Sequence, residues 1–284
     1  MELRYTAARS GRLSDILKTE MRMSTGLMNR LKWQNLLFVN GVAVHTDYTV
    51  QPGDRICAQL AEPRPNYPAQ QGDLQILYED DHLLAVHKMA GMLIHPSRSK
   101  NTDTLANYVQ GYYEATGQQS AFHPLTRLDR DTSGIVLIAK DSHTHALLQA
   151  VEAEKTYHAL VFGCPPEDNG VIDAPIARLP LPSLLRHVHP DGKPSVSRYK
   201  VLERHDGYSL LALQPITGRT HQLRVHCAYM GFPILGDPQY GSDASIAFSQ
   251  TMKLHHQALM AKTLRFTHPY SGKPLILHDQ APLL

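Results

Sequence analysis

Residues 61–72, Ala-Glu-Pro-Arg-Pro-Asn-Tyr-Pro-Ala-Gln-Gln-Gly, place three prolines and a glycine in a short run of low hydrophobicity. Proline fixes φ and removes a backbone donor, so neither a helix interior nor a central strand crosses such a stretch. It reads as a semi-rigid linker that splits the chain into two unequal pieces, residues 1–60 and 73–284. The length of 284 residues agrees with one main domain plus an appendage. With 42% hydrophobic and 19% charged residues, a packed core is available and global disorder is excluded.

Charge divides along the same line. The whole chain is only +2, but residues 1–60 are +3 and the remainder −1. Between Arg4 and Lys32 stand seven basic residues against two acidic ones: Arg4, Arg9, Arg12, Lys18, Arg22, Arg30 and Lys32 against Asp15 and Glu20. An average that argues against a nucleic-acid partner thus conceals a basic first segment that fits one. The plain alternative is a solvated helical face. Three scattered cysteines, Cys57, Cys164 and Cys227, form no metal knuckle or disulfide framework and fit a reducing compartment. No signal-peptide core is visible, and apolar runs such as 134–139 are strand-sized, so a cytoplasmic monomer without a membrane partner is expected.

The first piece reads as two helices and a small sheet. Ser10 or Ser14 can cap a helix carrying Leu13, Ile16 and Leu17; Ser24 or Thr25 can cap a second carrying Leu27, Met28 and Leu31. Two apolar runs then flank Asn40-Gly41, a two-residue hairpin signal, and Gln51-Pro52-Gly53-Asp54 turns the chain into a strand over 55–60. In the second piece strands are expected at 74–78, 83–87, 135–139, 156–162, 197–203 and 208–214, the last two joined by His205-Asp206-Gly207. Helices are expected at 104–115, 141–155 and 220–230. The fold class is therefore α+β, with a mixed, largely antiparallel sheet.

The densest chemical constellation is Thr126-Arg127-Leu128-Asp129-Arg130-Asp131-Thr132-Ser133-Gly134, directly before the strand at 135–139. Carboxylates, guanidiniums and hydroxyls at a strand entrance can hold one carboxylate in fixed hydrogen bonds. Composition alone leaves a surface ion-pair cluster equally open.

Arg127-Leu128-Asp129 followed by Thr132-Ser133-Gly134 resembles the catalytic signature of the RluA/RluD family of RNA pseudouridine synthases. Three more stretches resemble that family in its order. They are Asp81 to Lys88 with Gly91 and His95-Pro96; Lys155-Thr156-Tyr157-His158-Ala159-Leu160-Val161-Phe162-Gly163; and Pro215 to His226 running into Leu235-Gly236-Asp237-Pro238-Gln239-Tyr240-Gly241. The first piece, with its basic helix, Val39-Asn40-Gly41 hairpin and Pro52-Gly53-Asp54 turn, resembles the RNA-binding fold of ribosomal small-subunit protein four. Together the resemblances span nearly the whole chain.

The resemblance implies an isomerase that turns uridine into pseudouridine in structured RNA, ribosomal RNA before transfer RNA, with no cofactor and no metal. It places the catalytic roles on Asp129, Tyr157 and Arg224. Asp129 acts as nucleophile or as base on a glycal route, Arg224 pairs with it and orients it, and Tyr157 packs on the uracil. Substrate contacts are expected from Arg127, Leu128, Thr132, Lys88, Arg219 and His221, and phosphate contacts from Arg9, Arg12, Lys18, Arg22, Arg30 and Lys32 of an RNA-binding module. Since the glycosidic carbon is shielded in a stacked base, the target must be flipped out. Asp131 is read as structural, and Thr132 and Ser133 as ties within the loop.

The sequence departs from the family at Thr126, where histidine is common, at His87-Lys88-Met89 for Asn-Lys-Pro, and at Leu259-Met260-Ala261 for Leu-His-Ala. The 17 histidines show no ligand set: His221 and His226 face apart on one helix, His255-His256 are adjacent, and His143 and His145 flank a helix start. Two alternatives remain, a non-catalytic RNA-binding or ribosome-assembly factor on the same fold and a carboxylate-based glycoside or nucleoside hydrolase.

Overall fold

Asn40 and Gly41 both take positive φ, +50° and +83°, and join strands that pair Phe38 with Ala43 and Val39 with Val42. The hairpin read from the Asn-Gly pair is thus present, in the doubly left-handed turn that matches strand twist. The computed structural model describes residues 2–60, 62 and 65–284; of the expected linker, Ala61, Pro63 and Arg64 lie outside the described residues. The first segment runs β1 (Glu2–Thr6), β2 (Gly11–Arg12), α1 (Leu13–Thr19), α2 (Thr25–Trp33), β3 (Leu37–Val39), β4 (Val42–Ala43), β5 (Thr49–Val50) and β6 (Arg55–Gln59). Strands β1, β6, β3 and β4 form one sheet in that order, and β2 pairs with β5. Its buried core is drawn, among the described residues, from Ala7 to Leu60, with Leu3 and Tyr5 packed against it and Leu13, Leu17, Leu31, Leu37 and Val50 fully enclosed.

Ser24 caps α2 by accepting from the Leu27 N–H. Neither Ser10 nor Ser14 caps α1: Arg12 is the N-cap and makes no side-chain bond. The reason lies in the backbone. The N–H groups of Leu13 and Ser14 donate to the carbonyls of Tyr48 and Thr46 at 2.8 and 2.9 Å, so the donors that a cap would satisfy are already bound.

The larger segment contains β7 (Ile76–Glu79), β8 (Leu83–Lys88), α3 (Leu105–Ala115), β9 (His123–Pro124), β10 (Ser133–Ala139), α4 (Ser142–Gln149), β11 (Glu154–Phe162), β12 (Asn169–Asp173), β13 (Ile176–Arg178), β14 (Arg186–Val188), β15 (Val196–His205), β16 (Tyr208–Pro215), α5 (Gln222–Tyr229), α6 (Asp243–Thr251), β17 (Leu259–Thr267) and β18 (Pro274–His278). Its main sheet runs β12-β15-β16-β11-β17-β10-β8-β7, with β18 beside β17 and β9 beside β10. Among the described residues only the β10–β17 pair is parallel. The fold is the α+β class expected, with a mixed and largely antiparallel sheet.

Alternation along β8 and β10 explains why both read as unbroken apolar runs. Leu84, Val86, Val136 and Ile138 point to one face, where Leu105, Val109 and Tyr113 of α3 cover them. Leu83, Ala85, Ile135 and Leu137 point to the other, against Leu148 of α4 and Leu264, Phe266 and Leu277. Residues 65–72 do not hang free. Tyr67 packs on the α3 core, the Gln70 N–H donates to the Asn107 carbonyl, and the Asn107 amide donates to the Pro68 carbonyl.

The helix expected over 141–155 begins as read, with Asp141 accepting from the N–H groups of His143 and Thr144, but ends at Gln149. Glu154 and Lys155 open β11, which is paired with β17 along one edge and, from Tyr157 onward, with β16 along the other. Pairing of Glu154 and Lys155 with Arg265 and Leu264 of β17 overrides local helix propensity here. No helix among the described residues is long and apolar enough to cross a membrane.

Gly134 has φ +107°, and a Cβ there would come within 2.4 Å of the Ala261 carbonyl oxygen in the parallel partner. Gly134→Ala is expected to lower stability by roughly 2 to 4 kcal/mol, read from the urea midpoint at unchanged m-value.

Candidate active site

The loop from Arg127 to Thr132 is held from several sides before β10 begins. The Leu137 N–H donates to the Thr126 hydroxyl at 3.2 Å, and the Thr132 N–H donates to the Asp129 carbonyl at 3.2 Å. The Thr132 hydroxyl accepts from the Gln257 amide at 2.6 Å, so this residue ties the loop to a neighbouring segment as well as to its own backbone. Arg130 grips Asp131 through two bonds of 2.9 and 2.8 Å, and His256 stands 3.2 Å from the same carboxylate. The Arg130 bond is the main reason the Asp131 pKa is lowered, against a smaller upward push from burial. Asp131, read from the sequence as structural, is thus held by its neighbours, and it also lines the second of the cavities described below.

Lys88 was expected at the substrate, and the structure corrects this. Its side chain lies fully buried under the loop and donates to the carbonyls of Met89, Met92 and Arg130 at 3.0, 3.0 and 2.9 Å. All three ammonium protons are thereby used, and Lys88 does not line the cavity described below. Burial pushes its pKa down to about 8, with Asp131 and Asp129 opposing that shift.

Facing Asp129 is Arg224 in the first turn of α5. Its Nε and Nη2 reach both oxygens of Asp237 at 2.7 and 2.8 Å, Nη2 also reaches the Gln239 amide oxygen at 2.7 Å, and Nη1 reaches Asp129 Oδ2 at 3.1 Å. Asp237 is fully buried and also accepts from the N–H groups of Gln239 and Tyr240. Burial opposes the charge on Arg224, but the bonds and charges of Asp237 and Asp129 outweigh it and raise its pKa. The Tyr240 ring lies under the guanidinium at 5.0 Å. His221, at the start of α5 with φ +57°, donates or accepts at Nδ1 with the Tyr240 hydroxyl at 2.8 Å and holds Nε2 3.8 Å from Asp129. Its burial lowers its pKa, with Asp129 acting the other way.

Two cavities of about 470 and 550 Å³ meet at Asp129, Thr220, His221 and Arg224. The first is also lined by Arg127, Leu128, Thr132, Lys155, Tyr157, Arg219 and Leu259, so every residue expected in catalysis or at the substrate except Lys88 converges there. Burial, and secondarily the charge of Asp129, pushes the Tyr157 hydroxyl up to about 12. The second cavity continues past Arg130, Arg178 and Arg186. The sequence reading assigned no role to Asp237, Gln239 or Lys155, although all lie inside the motif stretches; the signal available was the Gly236-Asp237-Pro238 turn following the α5 motif.

The basic residues of the first segment divide. Arg9, Arg12, Lys18 and Arg22 are exposed, with Arg9 3.4 Å from Glu20, and Lys32 lies over the ring of the exposed Trp33. Arg30 turns the other way. It donates to the Ser142 hydroxyl at 2.8 Å and stands 3.5 Å from Glu62, whose carboxylate also accepts from the Ser142 N–H and lies 3.3 Å from His123. Burial works against the Glu62 charge, yet His123 and Ser142 hold its pKa down to about 2. Arg30 therefore fastens α2 to the larger segment through Nη2, and it is turned away from the exposed cations of its own segment. Among the histidines, His226 is enclosed between the Ser197 hydroxyl and the Ala174 carbonyl.

Residues 82–229 match the family described as RNA pseudouridylate synthase. A Bacillus subtilis (strain 168) protein, "Uncharacterized RNA pseudouridine synthase YlyB", is 39% identical over 86% of this chain and 81% of its own length. The Vibrio cholerae "Ribosomal large subunit pseudouridine synthase C" is 34% identical over 96% of this chain and 89% of its own. The solved structure of "Human RNA Pseudouridylate Synthase Domain Containing 1" superposes with a TM-score of 0.63 at 26% identity, covering 76% of this chain and 87% of that one.

Asp237→Leu removes the buried counter-charge of Arg224 and leaves it only the partly exposed Asp129, and is expected to cost about 3 to 5 kcal/mol in urea unfolding. A loss under 1 kcal/mol would show that Asp129 and Gln239 alone hold the arginine.

Proposed function

The chain belongs to the RNA pseudouridine synthase family, in its RluA/RluD branch, and from that premise we propose that Asp129 is the group that attacks the target nucleotide. The chain is an isomerase that converts uridine to pseudouridine in RNA. In that reaction the bond from the anomeric carbon to N1 breaks, a bond to C5 forms, C5 gives up its proton and N1 gains one. No electrons are exchanged with a cofactor. A carboxylate fixed beside the anomeric carbon can form an ester there, or take the 2′ proton on a glycal route.

The observation that carries the assignment is the arginine bridge. Arg224 joins the cavity carboxylate Asp129 to the buried Asp237, so Asp129 is oriented without being enclosed: its side chain remains 32% exposed and open to a substrate. Tyr157, with its hydroxyl pushed up to about 12, stays protonated at neutral pH and serves as a ring platform and hydrogen-bond donor. Leu128 and Leu259 add apolar walls for a flat base, while Arg127, Arg219, His221 and Thr132 surround it. A non-catalytic RNA-binding role and a carboxylate-based hydrolase are not favoured by the family.

The substrate proposed is ribosomal RNA, on the analogy of relatives named for the large ribosomal subunit, and the location proposed is the cytoplasm. Residues 1–60 are proposed as an RNA-binding module, 61–72 as the connection and 73–284 as the catalytic domain. The separate core of the first segment and the exposed Arg9, Arg12, Lys18 and Arg22 support that division. Pseudouridine mapping in ribosomal and transfer RNA from a deletion strain and its parent tests the substrate; a site missing only from transfer RNA overturns it.

Asp129→Asn is expected to abolish tritium release from C5-labelled uridine in RNA while RNA affinity changes less than about twofold. Unchanged release removes Asp129 from the chemistry. Lys18→Glu combined with Arg22→Glu is expected to flatten the dependence of log affinity on log salt by about one to two units. An unchanged slope takes the module out of the RNA path.

A further inference from the structure

The cations around the Asp129 cavity fall into two sets. Arg224, and Arg130 in the adjoining cavity, are spent on carboxylates at hydrogen-bond distance, while Arg178 and Arg186 of that second cavity donate to the backbone carbonyls of Ser183, Leu184 and Leu185. Arg127, Arg219 and Lys155 line the first cavity, beside Tyr157, with no carboxylate: among the described residues no side-chain hydrogen bond or ion pair holds Arg127 or Lys155, and the Arg219 side chain donates only to the Pro194 carbonyl at 3.2 Å. A neutral uracil needs none of these charges. Every nucleotide of an RNA strand, however, brings a phosphodiester anion with it.

Lys155 differs from the other two because it is half-buried. Burial lowers its pKa, and no nearby carboxylate offsets that shift. An unpaired cation in a partly dry wall is unfavourable until an anion arrives, and it gains accordingly when one does. Its position gives the direction of approach. Tyr157 pairs with Leu213 of β16 and with Ala261 of β17, the residue that also meets Gly134 after the Asp129 loop. Lys155 lies two residues nearer the start of β11, opposite Leu264, and both it and Pro215 at the end of β16 line the cavity. Past Pro215 the chain runs into the segment that carries Arg219. Lys155 is therefore displaced along the groove from the reacting end, on the same wall as Tyr157 and beside the rim.

We propose that Lys155 binds the phosphodiester of a nucleotide flanking the target uridine, forming with Arg127 and Arg219 a three-cation cradle for the substrate strand. This rests on RNA being the substrate. The cradle holds the backbone on either side of the flipped nucleotide while Tyr157 and the leucines receive the base, so it acts in binding and leaves the bond-making steps to Asp129.

The test uses the full chain and an unmodified in vitro transcript of large-subunit ribosomal RNA. Filter binding across a salt series gives the slope of log affinity against log salt, and single-turnover tritium release at saturating RNA gives the rate. Lys155→Met keeps the apolar stem, Lys155→Gln is a second neutral variant, and Lys155→Arg restores the charge. Both neutral variants are expected to shallow the slope by about 0.7 and to weaken binding about fivefold at 0.1 M salt, one single-strand phosphate contact. The single-turnover rate should stay within about twofold, and Lys155→Arg should recover the slope. An unchanged slope with a collapsed rate overturns the proposal in favour of a charge acting on the uracil. An unchanged slope and rate overturn it in favour of simple packing. Wild-type protein that releases no tritium refutes the substrate reading instead, and the slope, which needs no turnover, separates the two failures.

Discussion

Arg224 is the point at which the fold and the site become one object. Its planar fork offers donors in fixed directions, and four of the acceptors it meets come from three places: two oxygens of Asp237, the Gln239 amide and Asp129. Asp237 fixes the guanidinium from behind, in a position closed to solvent and further tied by two backbone N–H groups. Only after that plane is set can the remaining Nη1 aim a carboxylate that stays partly open. A lysine would supply the charge but not the three-way geometry, since an ammonium on a flexible stem has no plane to lock. The buried pair is thus better understood as a positioning device than as a source of stability, because desolvation of two charges offsets most of their attraction.

The loop opposite is fixed by different means. Lys88 gathers three carbonyls under it, Thr126 and Thr132 tie it to β10 and to Gln257, and Gly134 lets β10 lie against Ala261 at a distance no side chain permits. A single substitution in this set is felt at Asp129 without touching it. Preorganisation of this kind removes the cost of ordering the carboxylate when the substrate arrives.

How much of this was legible in the sequence depended on the range of the interaction. Elements set by local chemistry were readable: the Asn40-Gly41 turn, the Ser24 cap, the helix start at 141, and the apolar runs of β8 and β10 with the β15–β16 hairpin. The motif stretches carried Asp129, Tyr157 and Arg224 because each sits in a short run of distinctive residues. What was lost came from distant parts of the chain. The cap of α1 is replaced by carbonyls from Thr46 and Tyr48, more than 30 residues away. The helix expected through Lys155 is cut short because Glu154 and Lys155 pair with Arg265 and Leu264 of the distant β17, and the strands β1, β12 and β18 are only five residues each, too short for their patterns to announce them. Lys88 was placed at the substrate because its motif adjoins the site, whereas only the folded chain shows that its protons are already engaged.

The basic residues obey the same rule of engagement. Counted along the sequence, seven between Arg4 and Lys32 looked equivalent. In the structure Arg30 is committed to Glu62 and Ser142 and fixes how the first segment sits on the second, while Arg12, Lys18 and Arg22 remain exposed. Within the cavity, Arg224 is committed to carboxylates and Arg127, Arg219 and Lys155 are not. A charge already paired inside the protein contributes geometry, and a charge left without a partner contributes affinity for a polyanion. Net charge counts both kinds alike, which is why +2 over the whole chain says so little. Subtracting the paired cations leaves basic residues in two places, exposed on the first segment and lining the groove of the second, with the Arg30–Glu62 contact among the bonds that join the segments. On the proposed reading of the first segment as an RNA-binding module, a single RNA bound to both reaches across two segments, and their relative placement then sets the spacing between the part of the RNA that is gripped and the uridine that is turned.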